Sequence, residues 1–176
     1  MVGRFILVVA CIVGLVPTAL GQLTSRDRTF VMDAAQANNF QIQAALLVDQ
    51  YSSNSVYRRF AIDIANAQTE ESGQLESTVA DQNSTMKLPN GLSPTGQRQL
   101  NSLKNARNVD TTFRDLMIAS YSSTIRLYQN YIDQFDANSE LKQMAQDLLP
   151  AFEQHLEDAR DLEPGMQQAP PARNQH

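Results

Sequence analysis

The chain has 176 residues, with 14 Lys and Arg against 19 Asp and Glu and a formal net charge of −5 at pH 7. This moderately acidic balance argues against nucleic acid or an anionic membrane as the main partner, because both attract basic proteins. One cysteine and two histidines leave few side chains for thiolate or imidazole chemistry.

The first 21 residues have the three-part pattern of a secretory signal peptide. Arg4 supplies a positive charge, residues 5–16 form an apolar run, and residues 19–21 place small side chains before a cleavage point at Gln22. The run is shorter than the roughly 20 residues needed to span a bilayer. We therefore expect residues 1–21 to be removed on export to the periplasm or the medium. The alternative is an anchor that stays uncleaved.

Residues 22–163 are long enough to form one domain with a hydrophobic core. Its apolar side chains recur at the three- and four-residue spacing of amphipathic helices in four segments, about residues 26–52, 55–82, 111–135 and 139–162. Nothing alternates with period two over a useful length. The pattern predicts an all-α fold that packs as a four-helix bundle.

Residues that favour helix ends lie near these limits. Asn54, Asp110 and Asn138 each stand just before a periodic segment and are good N-cap residues. Pro150 lies inside the fourth segment, where a proline predicts a kink or a reshaped preceding turn. The tail from residue 164 to residue 176 is rich in proline and glutamine, and we expect it to be disordered.

A connection of about 27 residues joins the second and third segments. Its turn-rich part is followed by Ser93 and Pro94, a cap and then a proline at the first helical position. Leu100 and Leu103 predict a short helix there. A 25-residue helix is about 37 Å long, and a connection of about 27 residues is long enough to cover that distance. The connection can therefore run back along the bundle, as in four-helix folds with one crossover.

Four polar residues lie on the apolar stripes, each near the middle of its helix: Gln41, Gln68, Tyr121 and His155. Buried polar groups need partners, and amide, phenol and imidazole groups can satisfy one another. We therefore predict a neutral, hydrogen-bonded polar layer across the bundle. One alternative is four separate, partly solvated residues, and another is a metal site at His155.

The search for catalytic, cofactor and metal motifs finds none. The sequence lacks a nucleophile elbow, a phosphate loop and a dinucleotide fingerprint. Carboxylate-bridged metal pairs in bundles need a Glu-x-x-His motif, whereas Glu153 and His155 are two residues apart and face away from each other. We predict a protein that is not an enzyme and has no catalytic, cofactor-binding or metal-binding residues.

Four stretches carry a resemblance to a known family: Phe30-Val31-x-x-Ala34-Ala35, Ser53-Asn54-x-x-Tyr57-x-x-Phe60-Ala61, Asp115-Leu116-Met117-Ile118-Ala119 and Leu149-Pro150-x-x-x-x-His155-Leu156. In order and spacing, over about residues 28–162, they resemble the bacterial domain-of-unknown-function 4142 family. The resemblance implies an exported bacterial protein with a ferritin-like four-helix bundle. It implies no biochemical activity.

The chain departs from this family at polar positions. Members commonly have glutamate where this chain has Gln41 and Gln43, and histidine where it has Gln68 and Tyr121. Of that polar set, His155 remains. If relatives hold a metal with these groups, this chain has lost most of the ligands.

The sequence therefore predicts a non-catalytic, exported helical bundle of the cell envelope with a binding, structural or stress-associated role. Its expected partner is another envelope protein. We expect it to bind no nucleic acid and to have no strong affinity for membranes. The alternative is a ferritin-like metal-binding or redox protein. A third reading, a small ligand in the core, would require a cavity beside Gln68 and Tyr121.

Overall fold

Five α-helices are found in the structure, a computed structural model that describes residues 23–82 and 84–163. Their bounds are Ser25–Tyr51 for α1, Ser55–Asp81 for α2, Pro94–Lys104 for α3, Val109–Ile132 for α4 and Ser139–Asp161 for α5. These described residues contain no strand, so the all-α prediction is confirmed. The predicted signal peptide (1–21) and tail (164–176) lie outside them.

The four long helices pack in a closed circuit, in which α1 and α5 each contact both α2 and α4. Short connections join α1 to α2 and α4 to α5, so the two helices of each pair run in opposite directions. Phe60 and Phe113, near the starts of α2 and α4, lie 6.1 Å apart between ring centroids. The chain between α2 and α4 therefore returns along the bundle, and its short helix α3 packs on α1 and α4.

The N-cap predictions hold for two of the three helices. The side chains of Asn54 and Asn138 accept hydrogen bonds from the first backbone N–H groups of α2 and α5. The prediction of Asp110 is wrong, because Asn108 caps α4 and accepts from the Thr111 N–H at 3.1 Å. The Val109 side chain packs against the core, and α4 begins at this residue, two residues before the predicted start. Asp110 lies in the first turn, where a carboxylate complements the helix dipole.

Aromatic rings fill much of the core between α1, α4 and α5. Phe30 stacks on Tyr131 with centroids 3.9 Å apart, and it meets Tyr128 edge-on at 5.0 Å. Phe152 on α5 packs against Tyr128 at 4.7 Å, and α5 continues as a helix through Pro150. Among the described residues, no helix combines the length and apolar character that a membrane crossing requires.

Candidate functional site

The four polar residues predicted to form a layer lie on the four long helices. Gln41, Gln68 and Tyr121 are 0% exposed, whereas His155 is half-buried. The rings of Tyr121 and His155 have centroids 5.3 Å apart. The bundle thus brings α4 and α5 together at this level and seals three of the four side chains from solvent.

The hydrogen bonds of Gln41 run to α4. Its Nε2 donates to Ser120 Oγ at 3.0 Å and to Thr124 Oγ1 at 3.4 Å, while its Oε1 has no hydrogen-bond partner in the part of the chain that the structure describes. The amide therefore binds two hydroxyl groups that the sequence prediction did not include.

Gln68 and Tyr121 lie close together without a hydrogen bond of normal geometry. Among the described residues, neither the two polar atoms of the Gln68 amide nor the Tyr121 hydroxyl has a hydrogen-bond partner. Burial raises the pKa of Tyr121 well above its usual value, the charge of Glu71 adds to this, and the nearby Gln68 amide lowers it in part. In the described part of the chain, no hydrogen bond joins two of the four predicted residues. Hydrogen bonding within the layer therefore stays a prediction.

Glu71 is an interior polar residue that sequence reasoning missed. It is only 5% exposed, one turn beyond Gln68 on α2. Burial raises the pKa of its carboxyl group to about 8, with a lowering effect from Gln68 and a raising effect from Glu70. The carboxyl group is therefore mostly protonated at neutral pH. The signal was the apolar stripe of α2, which steps seven residues from Gln68 to Leu75 and so requires an inward residue at 71 or 72.

The polar interior extends to the interface of α1 and α2. Asn38 Nδ2 donates to Ser72 Oγ at 3.3 Å, and this hydroxyl donates to the Gln68 backbone carbonyl at 2.7 Å. Within residues 23–82 and 84–163, six side chains of the core each keep at least one buried polar atom without a hydrogen-bond partner. We call them the interior cluster: Asn38, Gln41, Gln68, Glu71, Tyr121 and Tyr128. Each such atom costs stability on the order of 1–3 kcal/mol.

His155 stands at the border of this cluster. Burial lowers the pKa of its imidazole, while the negative charges of Asp158 and Asp63 act in the opposite direction. The imidazole is therefore neutral at pH 7. Within residues 23–82 and 84–163, no three His, Cys, Asp or Glu side chains are placed to hold a metal ion together.

A second polar network lies where α1 begins. The buried Asp27 carboxylate accepts hydrogen bonds from the Tyr131 hydroxyl at 2.6 Å, the Asn138 N–H at 3.1 Å and the Thr24 N–H at 2.7 Å. Burial by itself raises the pKa of Asp27, but these hydrogen bonds stabilise the charged form and lower the pKa below its usual value. The network joins α1, the end of α4 and the start of α5.

An open cleft of about 380 Å³ lies on the outer side of α1 and α4, beside the first turn of α3. Ser120 and Thr124, the two hydroxyl groups that bind Gln41, form part of its wall. The interior residue Gln41 is thus connected to the surface through α4.

Fold and interior together define an all-α helical bundle with polar side chains in its core. The chain belongs to the family described as Domain of unknown function (DUF4142), whose family model matches residues 16–162. This match confirms the resemblance inferred from the sequence.

Among solved structures, the chain is similar to the crystal structure of a DUF305 fragment from Deinococcus radiodurans. The two share 18% sequence identity with a TM-score of 0.66, over 80% of this chain and 96% of that chain. At this identity the likeness shows the helical fold alone. No curated protein matches the chain.

Proposed function

We propose that this protein is an exported, non-catalytic helical bundle of the cell envelope that acts through its outer surface. The observation that carries the proposal is the complete burial of Gln41, Gln68 and Tyr121. A substrate cannot touch side chains that the packed helices seal from solvent. The interior therefore serves the fold, and binding takes place outside it.

The interior cluster has a structural role in this proposal. Buried polar groups lower stability, but they can select one helix register over others, because a shifted register would change their neighbours. The closed circuit of long helices and the returning chain between α2 and α4 support a ferritin-like four-helix arrangement. The signal-peptide pattern of residues 1–21 supports export.

A second candidate function is that of a metal-binding or redox protein. One observation favours it: a group able to bind a metal ion lies beside a buried phenol. The half-buried His155 ring packs against the Tyr121 ring, and Glu71 is a second buried residue whose side chain could bind a metal ion. Imidazole and carboxylate groups are ligands for zinc, copper and iron.

Metal analysis of the purified chain from residue 22 to residue 176 separates the two candidates. Melting curves with and without copper, zinc and iron should accompany it, for the wild type and for His155→Ala, Glu71→Gln and the control His176→Ala. We expect no stoichiometric metal and no shift in melting temperature in any of them. Stoichiometric metal would overturn the proposal if its stabilising effect is lost in His155→Ala or Glu71→Gln but kept in the control.

Cell fractionation tests the location. The proposal expects the protein in the envelope or the medium, shortened at its N-terminus to begin at Gln22. A full-length product that stays in the cytoplasm would contradict export, whatever the metal analysis shows.

A further inference from the structure

The cleft between α1, α4 and the start of α3 combines an apolar floor with a polar wall. Ala37, Phe40 and Leu127 supply apolar surface, and hydroxyl and amide side chains surround it. Its volume of about 380 Å³ lies at the small end of the roughly 300–1,000 Å³ that is usual for small-molecule sites. Such a site fixes its ligand with a few well-placed polar groups.

Two hydroxyl groups of this wall are oriented differently from that of the neighbouring Ser123. Ser123, one position from Thr124, donates to the backbone carbonyl of Ala119, four residues earlier, in the usual way for helical Ser and Thr. Ser120 and Thr124 instead accept hydrogen bonds from Gln41 Nε2, and neither hydroxyl donates within the described residues.

The consequence is one available donor on the cleft wall, the hydroxyl of the half-buried Ser120. A hydroxyl group has one donor and two acceptor sites, so the Gln41 amide occupies an acceptor site and leaves the Ser120 O–H hydrogen without a partner among the described residues. Thr124 is only 2% exposed, so its hydroxyl is closed to a ligand as it is to bulk solvent. Gln41 is thus a positioning residue for the Ser120 hydroxyl.

Further polar groups around the cleft have no partner of their own. The side chains of Asp33, Gln36 and Gln99 line it and make no hydrogen bond or ion pair within the described residues. They offer two amides, which both donate and accept, and one carboxylate, which accepts. The lining contains no lysine, arginine or histidine, so an anionic ligand would meet no positive charge.

We propose that this cleft binds a small, neutral, polyhydroxylated ligand, such as one or two units of a saccharide. Hydroxyl groups of a sugar both donate and accept, which matches the donor at Ser120 and the mixed amide and carboxylate groups opposite. The apolar floor fits the C–H face of the ring. The inference names a ligand class for the surface-binding role proposed above and rests on that role.

Calorimetric titration of the intact mature chain with glucose, maltose and N-acetylglucosamine tests the proposal. We expect at least one of them to bind with a millimolar or lower dissociation constant. Ser120→Ala should weaken this binding about tenfold, because it removes a donor from the wall. The matched control Ser122→Ala on the same helix should bind like the wild type, since Ser122 does not line the cleft.

Two further variants test the edge of the cleft and the role of Gln41. Ala119→Trp places a large ring on the exposed edge of the cleft and should abolish binding without disturbing the core. Gln41→Glu should draw the Ser120 hydroxyl hydrogen towards the new carboxyl group and weaken binding. If Gln41 acts through Ser120, the loss in the double variant Gln41→Glu with Ser120→Ala is smaller than the sum of the two single losses.

Several results would overturn the inference. These are no saccharide binding by a correctly folded protein, equal affinity in the wild type and Ser120→Ala, or binding of choline or inorganic phosphate in place of the sugars. Such results would leave an exported bundle that acts through another surface. Stoichiometric metal in the interior would overturn the proposed non-catalytic role. The saccharide titration tests the cleft alone, so its result does not depend on the metal analysis.

Discussion

The hydroxyl group of Tyr131 donates a 2.6 Å hydrogen bond to Asp27, a residue 104 positions earlier in the chain. The contact is buried and ties the end of α4 to the first turn of α1. Asp27 also completes a capping box with Thr24, in which each side chain accepts from the backbone N–H of the other. The Asp27 carboxylate therefore caps the start of α1 and also links α1 to α4.

Tyr131→Phe removes this hydrogen bond and keeps the ring that stacks on Phe30. We expect the free energy of unfolding to fall by about 1.5–3 kcal/mol at pH 7, because the acceptor is a charged group. Urea denaturation measures the change. Tyr51→Phe is the matched control, since Tyr51 is 61% exposed. A loss no larger than that of the control would show that the hydrogen bond contributes nothing.

The same pair predicts a pH dependence. Asp27 has a lowered pKa in the folded state, so its contribution is present above its usual pKa of 3.8 and is lost as the pH falls through the folded value. Tyr131→Phe removes one cause of this lowering. The stability gap between wild type and variant should therefore narrow below pH ~4, as urea titrations at pH 3, 5 and 7 would measure. A gap that stays constant would place the effect of Tyr131 elsewhere.

Glu71→Gln should raise the stability of the protein at alkaline pH. The folded-state pKa of about 8 stands above the usual 4.5, so the protonated carboxyl group favours folding. Wild-type stability should fall as the pH rises from 4.5 to about 8, because over this range the unfolded chain releases the proton first. Glutamine resembles the protonated form, so the variant should be more stable at pH 9 by about 2–4 kcal/mol and nearly equal at pH 4.

Thermal melting across pH 4–9 measures this effect, with Glu76→Gln as the control on the exposed side of the same helix. Parallel pH profiles for wild type and Glu71→Gln would contradict the raised pKa. A similar gain in the control would indicate a general effect of negative charge on α2.

The predicted polar layer can be tested with a double-mutant cycle on Gln68→Leu and Tyr121→Phe. If the amide and the phenol support each other in the core, their combined effect on the free energy of unfolding should differ from the sum by about 0.5–3 kcal/mol. Urea denaturation gives all four values. The pair Gln68→Leu and Tyr131→Phe is the control, because Tyr131 bonds to Asp27 at the end of the bundle. Additivity in the first pair would reject a shared layer.

Asn138→Ala should destabilise the protein more than Asn108→Ala. Both residues are N-caps, and loss of a cap costs about 0.5–2 kcal/mol. The Asn138 amide additionally donates to Gln82 Oε1 at 2.9 Å, a contact between α5 and the end of α2, whereas Asn108 is exposed. Melting temperatures measured in parallel compare the two. Equal losses would mean that the contact with Gln82 adds no stability.

The helices could be predicted because their signals are local. Spacing of apolar residues located the four long helices, and Ser93 with Pro94 located the start of α3. The miss at Asp110 arose because two suitable cap residues, Asn108 and Asp110, lie within one turn. Which of them caps the helix depends on Val109, whose side chain packs against the core.

Of the predicted site, burial of Gln41, Gln68 and Tyr121 follows from their places on the apolar stripes. Their partners could not be predicted in the same way. The hydroxyl groups that bind Gln41 are 79 and 83 residues away, and no spacing rule connects them. Glu71 was missed because a glutamate on a helix is usually solvated, although the gap in the stripe of α2 left a place for it.

The sequence by itself thus determined the all-α class, the helices and the family, because periodicity, cap residues and short motifs are properties of neighbouring positions. Only the tertiary structure decided which polar atoms are paired and which are not. Hydrogen bonds require specific distances and angles between groups, and in this protein those between α1 and α4 are set by how the helices pack. The same packing places Ser120 between a cleft on one side and Gln41 on the other.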